Sequence, residues 1–594
     1  MYKQICSALL SCFGLSANLC LAVENITVDF SHRHQQIDNF GASDAWTFDP
    51  MIKKWSSEGK EAEINKLAEL LFSTDKGIGL SAWRFNIGAG SKEQGDDSGI
   101  YLDGLGKDYR RAELMQPNPG ADIEPSKQAG QIRFLQEAAK HGVQDLIIFT
   151  NSPPVWATNN GLAHPIGVGA SNLSAEMTPQ FTQFLVDVAT YLRTQKNVPV
   201  NYISPINEPT WEWEGQSQEA NRYNMAQVKA VYHSLYQQLK QHGLNEQIKI
   251  EAGEVVEYKA ALNDQTYQMF SADNSAYNAA MNQRNLGLYK NYIDQLLGDP
   301  ELNYKIGHKI SVHGYFSDNW ADRMGKLRDL TWQNLQAVST DAKIWMSEVS
   351  ILGAPGDVRP FHGHGLDVDD MEYAIHVGKM LHRDLTRLNA SAWQWWLAVT
   401  PYDYKDGLLK INPQLDADSL QTSKVMWVLG QFSRFIRPGY QRLELTQPDN
   451  LNGLMASAYR SPDNNKLVIV AINAAKQSQV VSVNLTQLAE DSQITHYQRY
   501  QTDKTNNLHQ KNDYLAGQVL NLPAQSVVTL VAQIEANKAE PSSELDDKTK
   551  NHLHPPQKAA GSLDLSHLVV YAIFVLAGVI RPRFPRFIKS FLFA

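Results

Sequence analysis

Between residues 36 and 436 short apolar runs alternate with helical stretches, and the alternation repeats eight times. The runs fall near 41 and at 78–86, 145–150, 203–208, 248–252, 310–315, 344–348 and 390–396. They are too short for helices and lack the apolar–polar alternation of a strand with one wet face. Continuous apolar runs of this length mark parallel strands buried on both faces. The stretches between them read as helices. Phe181, Phe184, Leu185, Val188 and Leu192, for example, are spaced for one buried face. Another helix is expected from Ser126, as N-cap, to His141-Gly142, where glycine stops it. Eight strand–helix units are the count of a closed (β/α)8 TIM barrel, an α/β fold.

The pattern changes at Arg437-Pro438-Gly439. Short strands at 454–460, 466–472, 480–485, 494–502 and 526–532 follow, with Asn, Asp and Pro between them and no convincing helix. Residues 437–535 therefore read as an attached antiparallel β-sandwich. Residues 23–35 carry a strand, at 26–30, that precedes the barrel and can join this side domain.

Both ends of the chain differ from its body. All three cysteines, Cys6, Cys12 and Cys20, lie in residues 1–22, an apolar stretch with one early Lys3. This reads as a secretory signal peptide cleaved near Ala22, which leaves a mature protein without disulfides. Cys20 raises a lipoprotein alternative, but Ala17-Asn18-Leu19 is a poor lipidation box. Residues 536–562 are rich in Glu, Lys, Asp, Pro and Ser, the composition of a disordered linker. Residues 563–594 hold a short apolar run ending in Arg581, Arg583, Arg586 and Lys589. That layout fits a sorting tail removed by inner-membrane machinery, a single transmembrane helix kept as an anchor, or an amphipathic end. A secreted or cell-surface location in a bacterium is the expectation.

Two of the runs end in glutamate. One closes Ile206-Asn207-Glu208-Pro209 and the other Met346-Ser347-Glu348. The C-terminal tips of barrel strands are where barrel enzymes keep their chemistry. Two carboxylates facing one cleft are the minimum needed to cleave a glycosidic bond. A formal net charge of −9 excludes a nucleic-acid binder, whose affinity rests on a basic surface. The 13 Trp and 24 Tyr suit sugar stacking. No metal-ligand spacing stands out, His362 and His364 being a chance pair in a Gly-rich loop, and no cofactor is called for.

Several segments together carry a resemblance. They are Phe40-Gly41-Ala42-Ser43-Asp44-Ala45-Trp46, Trp83-Arg84-Phe85-Asn86-Ile87-Gly88-Ala89-Gly90, Gln94-Gly95-Asp96-Asp97-Ser98-Gly99, Asn151-Ser152-Pro153-Pro154, Ile206-Asn207-Glu208-Pro209, Ser347-Glu348 and Trp393-Gln394-Trp395-Trp396. Over residues 36–535 the chain resembles glycoside hydrolase family 30, on the branch that includes endo-β-1,6-galactanases. The resemblance implies a retaining barrel hydrolase with a side β-domain built from both chain ends. It implies Glu208 as acid/base and Glu348 as nucleophile. It implies that Arg84 hydrogen-bonds Glu348, that Asn207 holds the sugar 2-hydroxyl, and that Tyr315 or His313 bonds the nucleophile. Trp46, Trp156, Trp211, Trp213 and Trp396 are candidate sugar platforms, two or three of them facing the cleft. Asp44 and Asn151 are candidate contacts to a terminal sugar. Asp96 and Asp97 are expected to order their loop, and Glu212 and Glu214 to be solvated.

Three functional readings follow. The first is a secreted retaining endo-hydrolase of β-1,6-galactan. The second keeps the chemistry on another β-glycan: β-1,6-glucan, glucuronoxylan, or an exo-cleaved β-glycoside. No basic cluster of the kind that would hold a uronic acid stands out on the sandwich side. The third is a non-catalytic glycan-binding surface protein, which has no need for both Glu208 and Glu348.

Overall fold

The computed structural model describes residues 23–101, 109–165, 171–213, 217–271, 290–318, 323–351, 365–402, 404–447 and 449–536. The signal peptide, the C-terminal segment, nearly all of the linker, Glu214, His362 and His364 lie outside these residues. No helix among the described residues is long and apolar enough to cross a membrane.

A long first strand, β1 (Val23–Gln36), precedes the barrel. The barrel strands are β2 (Asn39–Ser43), β3 (Ala82–Ile87), β4 (Asp145–Thr150), β5 (Tyr202–Ser204), β6 (Lys249–Ile250), β7 (Gly253–Val255), β8 (Lys309–His313), β9 (Lys343–Glu348) and β10 (Ala392–Thr400). They pair in parallel in the order β6-β5-β4-β3-β2-β10-β9-β8-β7. β6 and β7 are two halves of one fifth stave. Between them Glu251 N donates to Ile203 O and Ser311 N to Ala252 O, so the ring closes with eight staves. Every residue of β2, β3, β8 and β10 is buried, as two-sided burial requires.

One helix differs from its expected start. It spans Ala129–Lys140, and its N-terminal neighbour Gln128 sits in the left-handed region at φ 48°. Gln128 is drawn back to the barrel, where its amide donates to Asn86 O and accepts from Gly88 N. These tertiary bonds override Ser126 as a cap. Gly142, at φ +76°, follows the last turn.

After β10, β11 (Gly407–Lys410) adds alongside it in parallel and β12 (Gln421–Thr422) pairs with β11. Beyond the helix Lys424–Ser433 the chain builds β13 (Gln441–Thr446), β14 (Leu454–Arg460), β15 (Lys466–Asn473), β16 (Gln479–Thr486), β17 (Ser492–Gln493), β18 (His496–Thr502), β19 (His509–Leu515), β20 (Val519–Leu522) and β21 (Ser526–Gln533). β1 lies between β13 and β16, so both chain ends make this sheet. Alternate residues serve two cores. Leu467, Ile469, Ala471, Val528 and Leu530 face the sandwich interior, while Val468, Val470, Ile472 and Val527 join the barrel's core. That second face packs on the helices Met371–Thr386 and Lys424–Ser433. Each large apolar side chain buried there contributes roughly 1.5–3 kcal/mol, which fixes the side domain to the barrel.

Candidate active site

The site is assembled at the C-terminal mouth of the barrel. β9 ends in Glu348, and β8 ends in His313. Glu208 follows β5 with φ 43°, and its N–H donates to Glu254 O at 2.9 Å. Glu254 lies in β7 with φ 51°, directly after Gly253 at φ +111°. A Cβ on Gly253 would stand 2.4 Å from Ser311 O, so only glycine lets the fifth stave break there.

Five buried charged groups interlock. Arg84 Nη1 donates to Glu348 and Nη2 to Glu254, each at 2.6 Å. His313 Nδ1 is 3.1 Å from Glu208 Oε1, and Nε2 is 3.2 Å from Glu254 Oε2. Tyr315 Oη donates to Glu348 Oε1 at 3.0 Å, and His313 Nδ1 lies 3.7 Å from the same oxygen. Ser347 Oγ donates to Glu254 at 2.5 Å. One oxygen each of Glu208 and Glu348 lie within 4.8 Å of each other.

Burial opposes every charge here, and partners decide the outcome. Burial would raise Glu254, but Arg84 and His313 bring it down to about 2. Burial would lower His313, but Glu348, Glu254 and the hydrogen bond to Glu208 push it up to about 10. Glu208 moves the other way. Burial raises it, His313 pulls it back, and the charges of Glu348 and Glu254 add to the rise. By spacing, Glu208, His313 and Glu348 are the group among the described residues that could hold a metal. The fit is poor, because an imidazolium with both ring nitrogens on carboxylates has no lone pair to give.

The glutamates open into a cleft of about 370 Å³. Trp46, Asn207, Trp211, Trp213, Tyr315 and Trp396 line it with them. Asn207 presents an amide oxygen with no partner in the protein. Trp211 stacks on Phe316, centroids 5.5 Å apart, and Trp213 Nε1 donates to Glu208 O at 3.2 Å. Trp396 meets Trp46 edge-on at 5.3 Å. Arg84 and His313 are wholly buried and are joined to the cleft by their hydrogen bonds to the glutamates.

Three expected residues do not line the cleft. Asp44 is fully buried, accepting from Asn86 N at 2.8 Å and Gln131 Nε2 at 2.9 Å; burial pushes it up to about 8. Through Oδ1 it braces β2 against β3 and a barrel helix, and Oδ2 has no partner in the protein. Trp156 packs edge-on against Phe184 and donates to Gln116 O at 3.0 Å. Asn151 is buried, its amide without a partner in the protein. Asp96 pairs with Arg111 at 3.0 Å, and Glu212 is half-buried 3.8 Å from Arg222. Glu254, Arg110, Tyr404 and Asp406 were not anticipated. Glu254 alone had a readable signal, an acid at the tip of the fifth strand two residues beyond Ala252.

A family model described as O-Glycosyl hydrolase family 30 matches residues 23–410, and one described as Glycosyl hydrolase family 30 beta sandwich domain matches 439–530. The chain is 25% identical over 425 residues to an endo-beta-1,6-galactanase of Hypocrea rufa, covering 69% of this chain and 73% of that one. It is 26% identical over 247 residues to glucuronoxylanase XynC of Bacillus subtilis (strain 168), covering 41% and 50%. Among solved structures, a conserved exported protein from Bacteroides fragilis superposes with a TM-score of 0.71 at 27% identity, over 86% of this chain and 100% of that one. The catalytic domain of a GH30 xylanase C from Talaromyces cellulolyticus shares the fold, with a TM-score of 0.59 at 19% identity, over 86% and 100%.

Proposed function

The chain belongs to glycoside hydrolase family 30, and from that premise we propose that it cleaves β-1,6-linked galactan internally, with retention of configuration. The observation that carries the mechanism is the Glu208–Glu348 pair. Its oxygens, within 4.8 Å, suit direct attack on the sugar; inverting enzymes need roughly 6.5–9.5 Å between carboxyl groups to admit a water.

Charge balance assigns the two roles. Arg84 and His313 supply two positive charges, and Glu254 and an ionised Glu348 supply two negative ones. A third carboxylate would leave the buried cluster with an uncompensated charge, so Glu208 is the group that keeps a proton. Glu348, oriented by Arg84 and Tyr315, attacks the anomeric carbon while Glu208 protonates the leaving oxygen. Forming the glycosyl ester neutralises Glu348. Glu208 can then lose a proton without unbalancing the cluster, and it deprotonates the water that releases the sugar. Asn207, with its free amide oxygen in the cleft, accepts a sugar hydroxyl, and Trp46, Trp211, Trp213 and Trp396 offer the sugar faces to rest on.

The galactan reading is supported by similarity to the Hypocrea rufa enzyme over most of both chains. The partial similarity to a glucuronoxylanase keeps a second β-glycan as the alternative. Secretion is supported by a 27% identical neighbour described as exported. Product analysis on β-1,6-galactan, β-1,6-glucan and glucuronoxylan, with Glu348→Ala as control, tests the substrate. Short β-1,6-galacto-oligosaccharides from the wild type alone are expected. Products from another polymer only would replace the substrate and keep the chemistry. Proton NMR of the first product tests retention; an initial α-anomer would overturn it.

A further inference from the structure

The mechanism leaves one buried acid of the cleft without a role. Asp406 lines the cleft yet is only 2% exposed. Its backbone is locked to β10, because Asp406 O accepts from Trp395 Nε1 at 2.7 Å and from Leu397 N at 3.3 Å. Thr400 holds the carboxylate from one side, and Asp406 Oδ1 has no partner in the protein. A buried acceptor left open is a standing cost unless a ligand hydroxyl fills it.

The surroundings say which ligand. Trp396 N donates to Val349 O at 2.9 Å, which places Trp396 and its neighbour Trp46 on the Glu348 side of the cleft. Arg110 closes that side, its guanidinium 5.0 Å from the Trp46 ring, 4.9 Å from Tyr402 and 5.9 Å from Tyr404. Arg110 Nε is also unpartnered. An open carboxylate oxygen and an open guanidinium N–H beside an indole form a site for hydroxyl groups. A uronate would meet the Asp406 charge, so the occupant is a neutral pyranose.

We propose that Asp406, with Arg110 beside it, accepts the 3- and 4-hydroxyls of the sugar on the Glu348 side, and thereby selects chains linked through O6. The proposal rests on the hydrolase reading above. In a β-1,6 chain the 3- and 4-hydroxyls of every unit are free. A chain continued through O4 has no O4 proton to give, and Asp406 would be left buried and unpaired. Sites built to pair a hydroxyl reject analogues that lack it far more strongly than apolar pockets reject a missing methylene.

The test is a double-mutant-style cycle between enzyme and substrate. Wild type, Asp406→Asn and Asp406→Ala are assayed on the β-1,6 trisaccharide that the wild type cleaves, and on its analogue deoxygenated at C4 of the sugar beside Glu348. Wild type should lose roughly 10⁴-fold in kcat/KM on the analogue. Asp406→Ala should lose about as much on the parent and little more on the analogue, and Asp406→Asn, which keeps an acceptor oxygen, should lose less on the parent. Equal losses on both substrates by two variants that melt like the wild type would make Asp406 a structural acid and overturn the proposal alone. A wild type that cleaves only β-1,4-linked xylan would overturn both this proposal and the galactan reading. Silence on every glycan would overturn the hydrolase reading and this proposal with it.

Discussion

The fifth stave of the barrel carries a glutamate towards each mouth, and the two live under opposite rules. Glu254, near the C-terminal mouth, is brought down to about 2 by Arg84 and His313 despite complete burial. Glu251, three residues earlier, is pushed up to about 7 by burial and by Glu254, with Lys309 and Arg84 pulling back incompletely. Lys309 is itself pressed down to about 8 by burial, its Nζ unpartnered and 3.0 Å from the Trp345 centroid. Both clusters are buried. They differ in hydrogen-bonded counter-ions: Arg84 and His313 both reach Glu254 Oε2 while Ser347 fills Oε1, whereas Glu251 has only Ser311 on Oε1 and no hydrogen bond on Oε2. A buried charge persists only where partners are already in place. The C-terminal mouth therefore holds standing charges that can act on substrate, and the N-terminal floor holds groups that change charge near neutral pH. That division is the one expected of barrels, chemistry above and stability below.

Removing Glu348 should break the upper cluster most severely. Glu348→Ala is expected to cost at least ~10⁴-fold in kcat, about 5.4 kcal/mol of barrier, without a comparable loss of melting temperature. Azide should restore part of the turnover, because a small anion fits where the carboxylate stood. Activity within tenfold of wild type would remove Glu348 from the nucleophile role. Glu254→Gln comes next. It touches no substrate, so it acts as a positioning residue, and a loss of about 10²-fold in kcat with KM nearly unchanged is expected. Its charge is one of the forces holding the Glu208 proton on. The alkaline limb of kcat/KM should therefore move to lower pH. A lower melting temperature with an unmoved pH profile would reduce Glu254 to a structural ion.

His313 makes the opposite prediction. Glu208 must hold its proton in the first step, and His313 favours its loss. His313→Asn removes that pull, so the alkaline limb should move to higher pH while kcat falls about tenfold. Opposite shifts in the two variants would establish that Glu208 is tuned by the balance between these neighbours. Shifts in the same direction would refute the charge count.

Much of this was legible because barrel strands buried on both faces leave continuous apolar runs. The tips of two of those runs led to Glu208 and Glu348, and the resemblance to glycoside hydrolase family 30 added Arg84, His313 and Tyr315. Glu254 was missed because Gly253 breaks its strand, and Ala252 looked like the end of it. Arg110 and Asp406 sit in loops with no periodicity, and only closure of the ring brings them together. Asp44 shows the converse. A polar residue at a strand tip can brace the barrel as readily as bind sugar, and sequence does not distinguish the two. β19 escaped because its residues, mostly exposed and polar, carry no apolar alternation.

The smallest effect on catalysis is expected from the floor, and it decides whether the two clusters are truly separate. Lys309→Met keeps a stem of similar length and removes the ammonium that sits over Trp345 and Tyr202. Activity should stay within about twofold, with an unchanged pH profile, since none of the hydrogen bonds of the upper cluster involves Lys309. Exchanging a poorly satisfied buried charge for an apolar group is often neutral or stabilising by ~1–4 kcal/mol. The pH dependence gives the sharper reading. Lys309 titrates at about 8 when folded, below its ordinary value of 10.5. Between those values the unfolded chain binds the proton and the folded one does not, so this lysine makes stability rise with pH across that window. Urea midpoints at pH 8 and pH 10 should show that rise in the wild type and a smaller one in Lys309→Met. An equal rise in both would mean that Lys309 is fully charged in the fold, and that the floor keeps its ions as firmly as the mouth does.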